Sequence, residues 1–325
     1  MGKTAYGYAS GRIKALERTF LSQAQVERLL AAKDAQEAYK VLQDTFLSPY
    51  LASQDRATLA EVFERVIDDT KRLIASVAPD PELFDILWLK YDFYNLSTIV
   101  KGLRAGLSES EIKKSCFNSG KYSPDTLFQA VSEHALRNIS PTIAATVTLA
   151  EQQKEIFEVD IIMNKAYFAT TQEIAKRGKD ALVSEYVGLL IDLFNIKSAL
   201  RHLVLKEKSV PRPYISGGRF REDELSEKGQ IIEAFSSIGG NARWQEAIRA
   251  YEATRDHTLI ERVSDEMCSA FWREHAVLEF FSPAPLFSYF NTKKHNVQLV
   301  SAILTEKETG LSEHEIRHAY RSIPA

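Results

Sequence analysis

The five residues from His314 to His318 carry the spacing by which zinc hydrolases hold their metal. In the pattern His-Glu-x-x-His, two histidines one helical turn apart bind zinc and the glutamate activates a water molecule. A catalytic zinc needs a third protein ligand, which in this class follows the motif. Residues 319–325 contain no His, Asp, Glu or Cys. We therefore expect no metal, no cofactor and no catalytic residue in this segment.

The glutamate of that motif has a simpler explanation. Ser312 and Glu315 have the spacing of a capping box, in which each side chain binds the backbone of the other residue at a helix N-terminus. A similar segment earlier in the chain pairs Ser108 with Glu111 and has no histidine pair. The sequence therefore favours a terminal helix with the two histidines on its surface.

Two further groups have residue types that bind phosphate or magnesium. Gly217 and Gly218 lie among basic residues, but no dinucleotide-binding pattern surrounds them and the chain has no P-loop. A turn with solvated charges is the favoured interpretation, and its basic residues are candidates for contact with a partner protein: Lys206, Lys208, Arg212, Arg219 and Arg221. Asp68 and Asp69 are adjacent, so on a helix they point about 100° apart and indicate an exposed face.

The composition excludes several classes of protein. With 41 Lys and Arg against 44 Asp and Glu, the net charge of -3 gives no field that would attract nucleic acid. Two cysteines far apart in the sequence are typical of a reduced intracellular protein. No stretch approaches 18 uncharged apolar residues, and the first ten residues lack the features of a signal peptide. We therefore expect a cytoplasmic protein.

The distribution of glycine predicts long helices. Residues 12–101, 121–177 and 241–309 contain no glycine, and apolar residues recur there at helical spacing. Proline and glycine gather between these stretches, where turns are expected. Strand-like alternation is not evident over any comparable length. The fold class predicted is all-α.

The sequence also contains an internal repeat. Residues 106–112 and 310–316 share Gly-Leu-Ser-Glu-x-Glu-Ile, with a glycine suited to end one helix and a serine suited to begin the next. At the same offset, residues 92–99 align with residues 296–303, and residues 192–199 supply a middle copy. Three units are therefore predicted, with boundaries at residues 1–120, 121–220 and 221–325.

Each of the first two copies places an acidic residue three positions before an asparagine. Asp92 with Asn95, and Asp192 with Asn195, fall on one helix face beside the apolar stripe. We predict that these four side chains are structural ties, which hold one helix to the backbone of a neighbouring segment. The third copy departs from the pattern, because Asn296 and Leu299 occupy the two positions.

The motifs together resemble a known family, the central-stalk C subunits of V/A-type rotary ATPases, whose eukaryotic members are called d subunits. The resemblance spans nearly the whole chain and rests on the order and spacing of residues 6–13, 91–95, 192–197, 214–220 and 310–320. It implies a funnel of three pseudo-equivalent helical units around a central cavity. It further implies a non-catalytic rotor part that takes no cofactor and is peripheral to the membrane through the ATPase complex.

The partners that the resemblance implies are other proteins of the complex. The cavity would receive the rotor shaft, made of D-type and F-type subunits, and the base would rest on the membrane proteolipid ring. The chain would be a monomer when isolated, present once per complex. A stand-alone helical scaffold is the alternative function, and an uncharacterised helical hydrolase is a third.

Overall fold

A computed structural model describes residues 5–51, 59–205, 211–239 and 242–310. These residues form α-helices, short 3₁₀ segments and turns and contain no strand, so the all-α prediction is confirmed for them. The α-helices are α1 Gly7–Leu16, α2 Gln23–Ala31, α3 Ala35–Val41, α4 Ser48–Leu51, α5 Leu59–Val77, α6 Leu89–Arg104, α7 Glu109–Lys114, α8 Pro124–Ser132, α9 Pro141–Glu151, α10 Ile156–Gly178, α11 Ala181–Leu205, α12 Lys228–Ser237, α13 Ala242–Thr254, α14 Thr258–Leu278 and α15 Ala284–Glu308.

The chain divides into two compact units, which are described separately. The terminal unit combines Met1–Pro81 with Trp272–Ala325, so it contains both ends of the sequence. The central unit is Glu82–Phe271. These compact units do not test the three repeat units, which are defined by sequence similarity, so the boundaries at residues 1–120, 121–220 and 221–325 remain a prediction.

In the terminal unit, the long helix α15 packs against α1, α2, α3 and α5. Its residues Val300, Ile303 and Leu304 join a hydrophobic core with Leu29 and Leu42. The Nζ of Lys307 donates hydrogen bonds to the carbonyls of Leu30, at 2.9 Å, and Ala32 near the end of α2. Helix α15 is therefore fastened to the first third of the chain by both apolar and polar contacts.

In the central unit, α6 and α10 pack along each other, and α10 also contacts α9 and α11. A polar bridge joins the first pair: Asp160 Oδ1 accepts hydrogen bonds from Ser97 Oγ at 2.6 Å and from Lys101 Nζ at 2.8 Å. Further along the chain, Lys197 Nζ of α11 lies 2.7 Å from Glu261 Oε2 of α14. Long helices from different copies of the repeat are thus joined by side-chain pairs.

The helix boundaries follow from local chemistry that the sequence shows. Ser108 and Glu111 form the predicted capping box at the start of α7. Gly106 has a φ of +71° and Gly310 a φ of +82°, a backbone conformation that glycine adopts without strain, so both predicted helix C-caps are confirmed. The matching Ser312 and Glu315 lie outside the described residues.

Candidate functional site

The first loop, residues 117–122, is held to α6 by a buried carboxylate. Asp92 is fully buried, and its Oδ2 accepts a hydrogen bond from the backbone N–H of Lys121 at 2.9 Å. Its Oδ1 accepts another from the N–H of Tyr122 at 3.0 Å. One side chain thereby supplies hydrogen-bond acceptors for two backbone N–H groups in a part-buried region.

Asn95, one turn further along α6, fastens the start of the same loop. Its Nδ2 donates to the carbonyl of Phe117 at 2.7 Å, and its Oδ1 accepts from the N–H of Phe117 at 2.8 Å. The amide group thus pairs with both backbone groups of one residue, as a neighbouring peptide would. We call these four hydrogen bonds between the loop and the side chains of Asp92 and Asn95 the first tie.

The second tie repeats this arrangement on α11. Asn195 Nδ2 donates to the carbonyl of Ile215 at 2.8 Å, and its Oδ1 accepts from the N–H of Ile215 at 2.9 Å. Asp192 Oδ1 accepts from the N–H of Arg219 at 2.7 Å. The second loop, residues 215–220, therefore lies on α11 through the same two positions that hold the first loop on α6.

The third copy makes a smaller tie with the opposite end of the chain. Asn296 of α15 is buried, and its Oδ1 accepts a hydrogen bond from the N–H of Leu21 at 2.9 Å. Leu299, at the position of the second polar residue, lies in the apolar core of the terminal unit. The third loop, residues 17–22, thus has one side-chain hydrogen bond from these two positions instead of four.

The two carboxylates differ in how completely they are paired. Both oxygens of Asp92 accept backbone hydrogen bonds. Asp192 Oδ2 is buried and has no hydrogen-bond partner among the described residues. Burial raises the pKa of Asp192, and the N–H groups of Arg219 and Phe220 together with the Arg219 charge oppose that rise in part. The second tie therefore contains a carboxyl group that binds its proton more tightly than an exposed aspartate does.

Two glycines let the loops reach the carboxylates, a role that the turn expected around Gly217 and Gly218 does not include. A Cβ added at Gly120 would lie 2.2 Å from Asp92 Oδ1, and one added at Gly218 would lie 2.2 Å from Asp192 Oδ1. Only glycine leaves room for such an approach. The signal in the sequence is a glycine at a similar distance after each aspartate, in the first copy and again in the second.

The basic residues near the second loop have different surroundings. Arg212 is turned inward, with its guanidinium donating to the carbonyls of Leu225 and Glu222, both at 2.7 Å. Arg219 and Arg221 are exposed, and their partners are surface carboxylates. Lys206 and Lys208 lie outside the described residues. The Asp192 carboxylate lies beside Gly218, so the negative charge next to this glycine disfavours a phosphate there.

A metal cluster and a membrane-spanning helix are two further kinds of site that the described ranges could contain. Their His, Cys, Asp and Glu side chains form no group of three or more placed to hold a metal ion. Every helix in these ranges is too short or too polar to cross a bilayer. His314 and His318 lie outside the described residues, so the prediction about their motif remains a prediction.

The ties define a helical protein in which side chains of long helices fix the connecting loops. The sequence matches the family described as ATP synthase (C/AC39) subunit over residues 9–319. The chain belongs to this family, as its resemblance to the C subunits of V/A-type ATPases indicated.

Curated relatives agree with the family assignment over nearly the full length of the chain. The C subunit of the A-type ATP synthase of Thermococcus onnurineus is 24% identical, over 97% of this chain and 89% of its own. The C subunit of the V-type sodium ATPase of Enterococcus hirae is 20% identical, with 96% of each chain covered. The C subunit of the A-type ATP synthase of Haloquadratum walsbyi is 24% identical, over 96% of this chain and 97% of its own.

The raised pKa of Asp192 predicts a specific pH dependence of stability. In the folded protein the carboxyl group binds its proton more tightly than in the unfolded chain, so its contribution is fully present below about pH 4 and is lost as pH rises through the folded pKa. Asp192→Asn removes this titration. We expect the free energy of unfolding of the wild type, relative to Asp192→Asn, to fall in urea titrations as pH rises above about 4, the ordinary pKa of an aspartate. A difference that is constant or rises with pH would contradict the assignment.

The close approach at Gly218 predicts that Gly218→Ala destabilises the protein. The new methyl group overlaps Asp192 Oδ1, so the loop or the carboxylate must move and lose its hydrogen bond, at a cost of about 1 to 3 kcal/mol. Gly229→Ala in α12 is the matched control, because no atom lies within 4 Å of its added Cβ and alanine favours the helix. Chemical denaturation of both variants measures the difference. Equal stabilities would show that the loop does not need glycine there.

Proposed function

We propose that this chain is the non-catalytic central-stalk subunit of a rotary ATPase and joins the rotor shaft to the membrane proteolipid ring. The family is a subunit of ATP synthases, and the matched relatives include subunits of A-type and V-type enzymes. In this role the chain transmits torque and catalyses no reaction. It lies on the cytoplasmic side of the membrane, with one copy per complex and D-type and F-type shaft subunits as partners.

The observation that carries this proposal is the repetition of the ties on α6, α11 and α15. In each copy a long helix presents a buried Asp or Asn to the backbone of a loop, at Lys121, Arg219 or Leu21. Three copies of one helix-and-loop plan suit three helical units arranged around an axis, with a cavity that receives the end of the shaft. The predicted units are residues 1–120, 121–220 and 221–325. Residues 17–22 belong to the first of them and supply the loop that lies on α15 of the third.

The two contacts proposed for this chain differ in character. A ring of many identical subunits cannot match the symmetry of a single chain, so its contact with the base is expected to be polar, wet and sensitive to salt. The shaft contact is expected to use mixed apolar and charged helix faces. We include Arg219 and Arg221 in it because both are exposed, and we leave Arg212 out because backbone carbonyls already occupy its guanidinium.

Reconstitution tests the proposed role. ATPase heads that carry the shaft, mixed with proteolipid rings in vesicles, should hydrolyse ATP without this chain but fail to associate with the ring or to pump ions. Adding the purified chain should restore both association and ATP-driven ion transport. Assembly and transport that are unchanged when the chain is left out would exclude the adaptor function.

Replacing both exposed arginines tests the proposed shaft contact. The double variant Arg219→Ala, Arg221→Ala should weaken binding of the chain to the isolated shaft by about three- to thirtyfold at low salt, and the loss should shrink as salt is added. Arg249→Ala is the control, because it removes one exposed arginine from α13 in the same compact unit. Titration calorimetry measures both. An equal loss in the control would show a general effect of charge.

A further inference from the structure

The third loop lies on α15, near the end of the repeat, but consists of residues from the beginning of the chain. Residues 17–22, which we call the strap, join α1 to α2 and reach α15 through the N–H of Leu21. The position is equivalent to that of Tyr122 in the first loop. Tyr122 donates to Asp92 and is followed by Ser123, which caps α8, while Leu21 donates to Asn296 and is followed by Ser22, which caps α2.

The strap is held by fewer and weaker polar contacts than the other two loops. The first tie has four hydrogen bonds, and two of them go to a carboxylate. The tie to the strap has a single hydrogen bond to a neutral amide. Hydrogen bonds to an ionised acceptor are roughly twice as strong as those to a neutral one. The polar part of the strap's attachment is therefore the smallest of the three.

The strap is also less buried than the first and second loops. The first loop contains the buried residues Ser119 and Gly120, and the second contains Ile215. All six residues of the strap are partly or fully exposed. Its remaining attachments are a backbone hydrogen bond from Phe46 N–H to the Thr19 carbonyl, at 3.2 Å, the ring contacts of Phe20, and the packing of the half-buried Leu21 against the hydrophobic core of the terminal unit. Segments with few buried contacts open at the lowest free-energy cost in a native protein.

Helix α15, on which the strap lies, has a buried positive charge next to the weaker tie, where the other two copies have a buried carboxylate. Lys293, one turn before Asn296, is buried, and its Nζ lies 5.3 Å from the ring centre of Phe46 and 5.5 Å from that of Tyr289. The ring of Phe20 stacks on Tyr289, with centroids 5.1 Å apart. The strap therefore sits on aromatic rings that also surround a buried cation, and a carboxylate introduced at position 296 would have a positive charge one turn away.

We propose that the strap is a releasable closure, which detaches from α15 while the first two loops remain bound to α6 and α11. Its release exposes residues 17–22 and the aromatic rings beneath them, while α1 and α2 stay packed on α15. The asymmetry comes from Asn296 and Leu299, which replace the Asp and Asn of the other copies. This property belongs to the isolated chain and does not depend on the proposed adaptor function.

Amide hydrogen exchange on the full-length isolated chain tests the proposal, with NMR resolving single residues. After correction for intrinsic rates, the N–H of Leu21 should exchange at least about tenfold faster than the N–H groups of Lys121 and Tyr122. Asn296→Asp should slow exchange at Leu21 by about three- to tenfold and leave Tyr122 unchanged, since it installs the charged acceptor of the other copies.

A second variant keeps the test decisive if Asn296→Asp folds poorly. Asn296→Leu removes the acceptor and should speed exchange at Leu21 by about three- to tenfold without changing Tyr122. The proposal is overturned if Leu21 is as protected as Tyr122 in the wild type. It is also overturned if neither substitution changes exchange at Leu21 in a folded protein, because Asn296 would then not hold the strap.

Discussion

The hydrogen bonds between buried helix side chains and loop backbones are the interaction on which the rest of this structure depends. A loop that crosses a helix brings peptide N–H groups out of contact with water, and each one left unpaired costs about 1 to 3 kcal/mol. Asp92 and Asn95 meet that requirement for the first loop with four hydrogen bonds. The requirement extends to Gly120, since any larger residue would displace the carboxylate. The position of the loop therefore depends on both the helix carboxylate and the glycine beside it. The same dependence appears at Asp192 and Gly218.

The same dependence is relaxed in the third copy, and the surrounding residues show how. Along the helix face, Leu89, Asp92 and Asn95 of α6 correspond to Lys293, Asn296 and Leu299 of α15. The charge has changed sign and moved by one turn, from a carboxylate bound to backbone donors to an ammonium among aromatic rings. Burial lowers the pKa of Lys293, and the Asp69 charge opposes this in part. The loss of the acidic residue thus leaves the terminal unit with a different buried charge and a looser loop.

Much of this could be read from the sequence, because helices and their caps depend on nearby residues. The glycine-poor stretches predicted the long helices, and Ser108 with Glu111 predicted a helix start. The partners of the ties could not be predicted in the same way. Their donors are backbone groups, which every residue except proline possesses, so nothing in residue type marks Leu21 as the partner of Asn296. The alignment of the repeat located the acceptors, whereas the donors required coordinates. Arg212 shows the same limit, since its sequence neighbourhood suggests a surface charge and its guanidinium binds carbonyls within the chain.

The ties also bear on the proposed role in torque transmission. Loops are ordinarily the parts of a protein that deform first under load, because few contacts hold their backbone. Here the first loop is bonded to the first two turns of α6 and the second loop to the middle of α11. Both helices are joined to further helices, through Lys101 with Asp160 and through Lys197 with Glu261. A force applied to either loop therefore passes into a helix and from it into the next one, without requiring the loop to be stiff. The strap lacks most of this bonding, so the fold combines two loops suited to bear load with one suited to open.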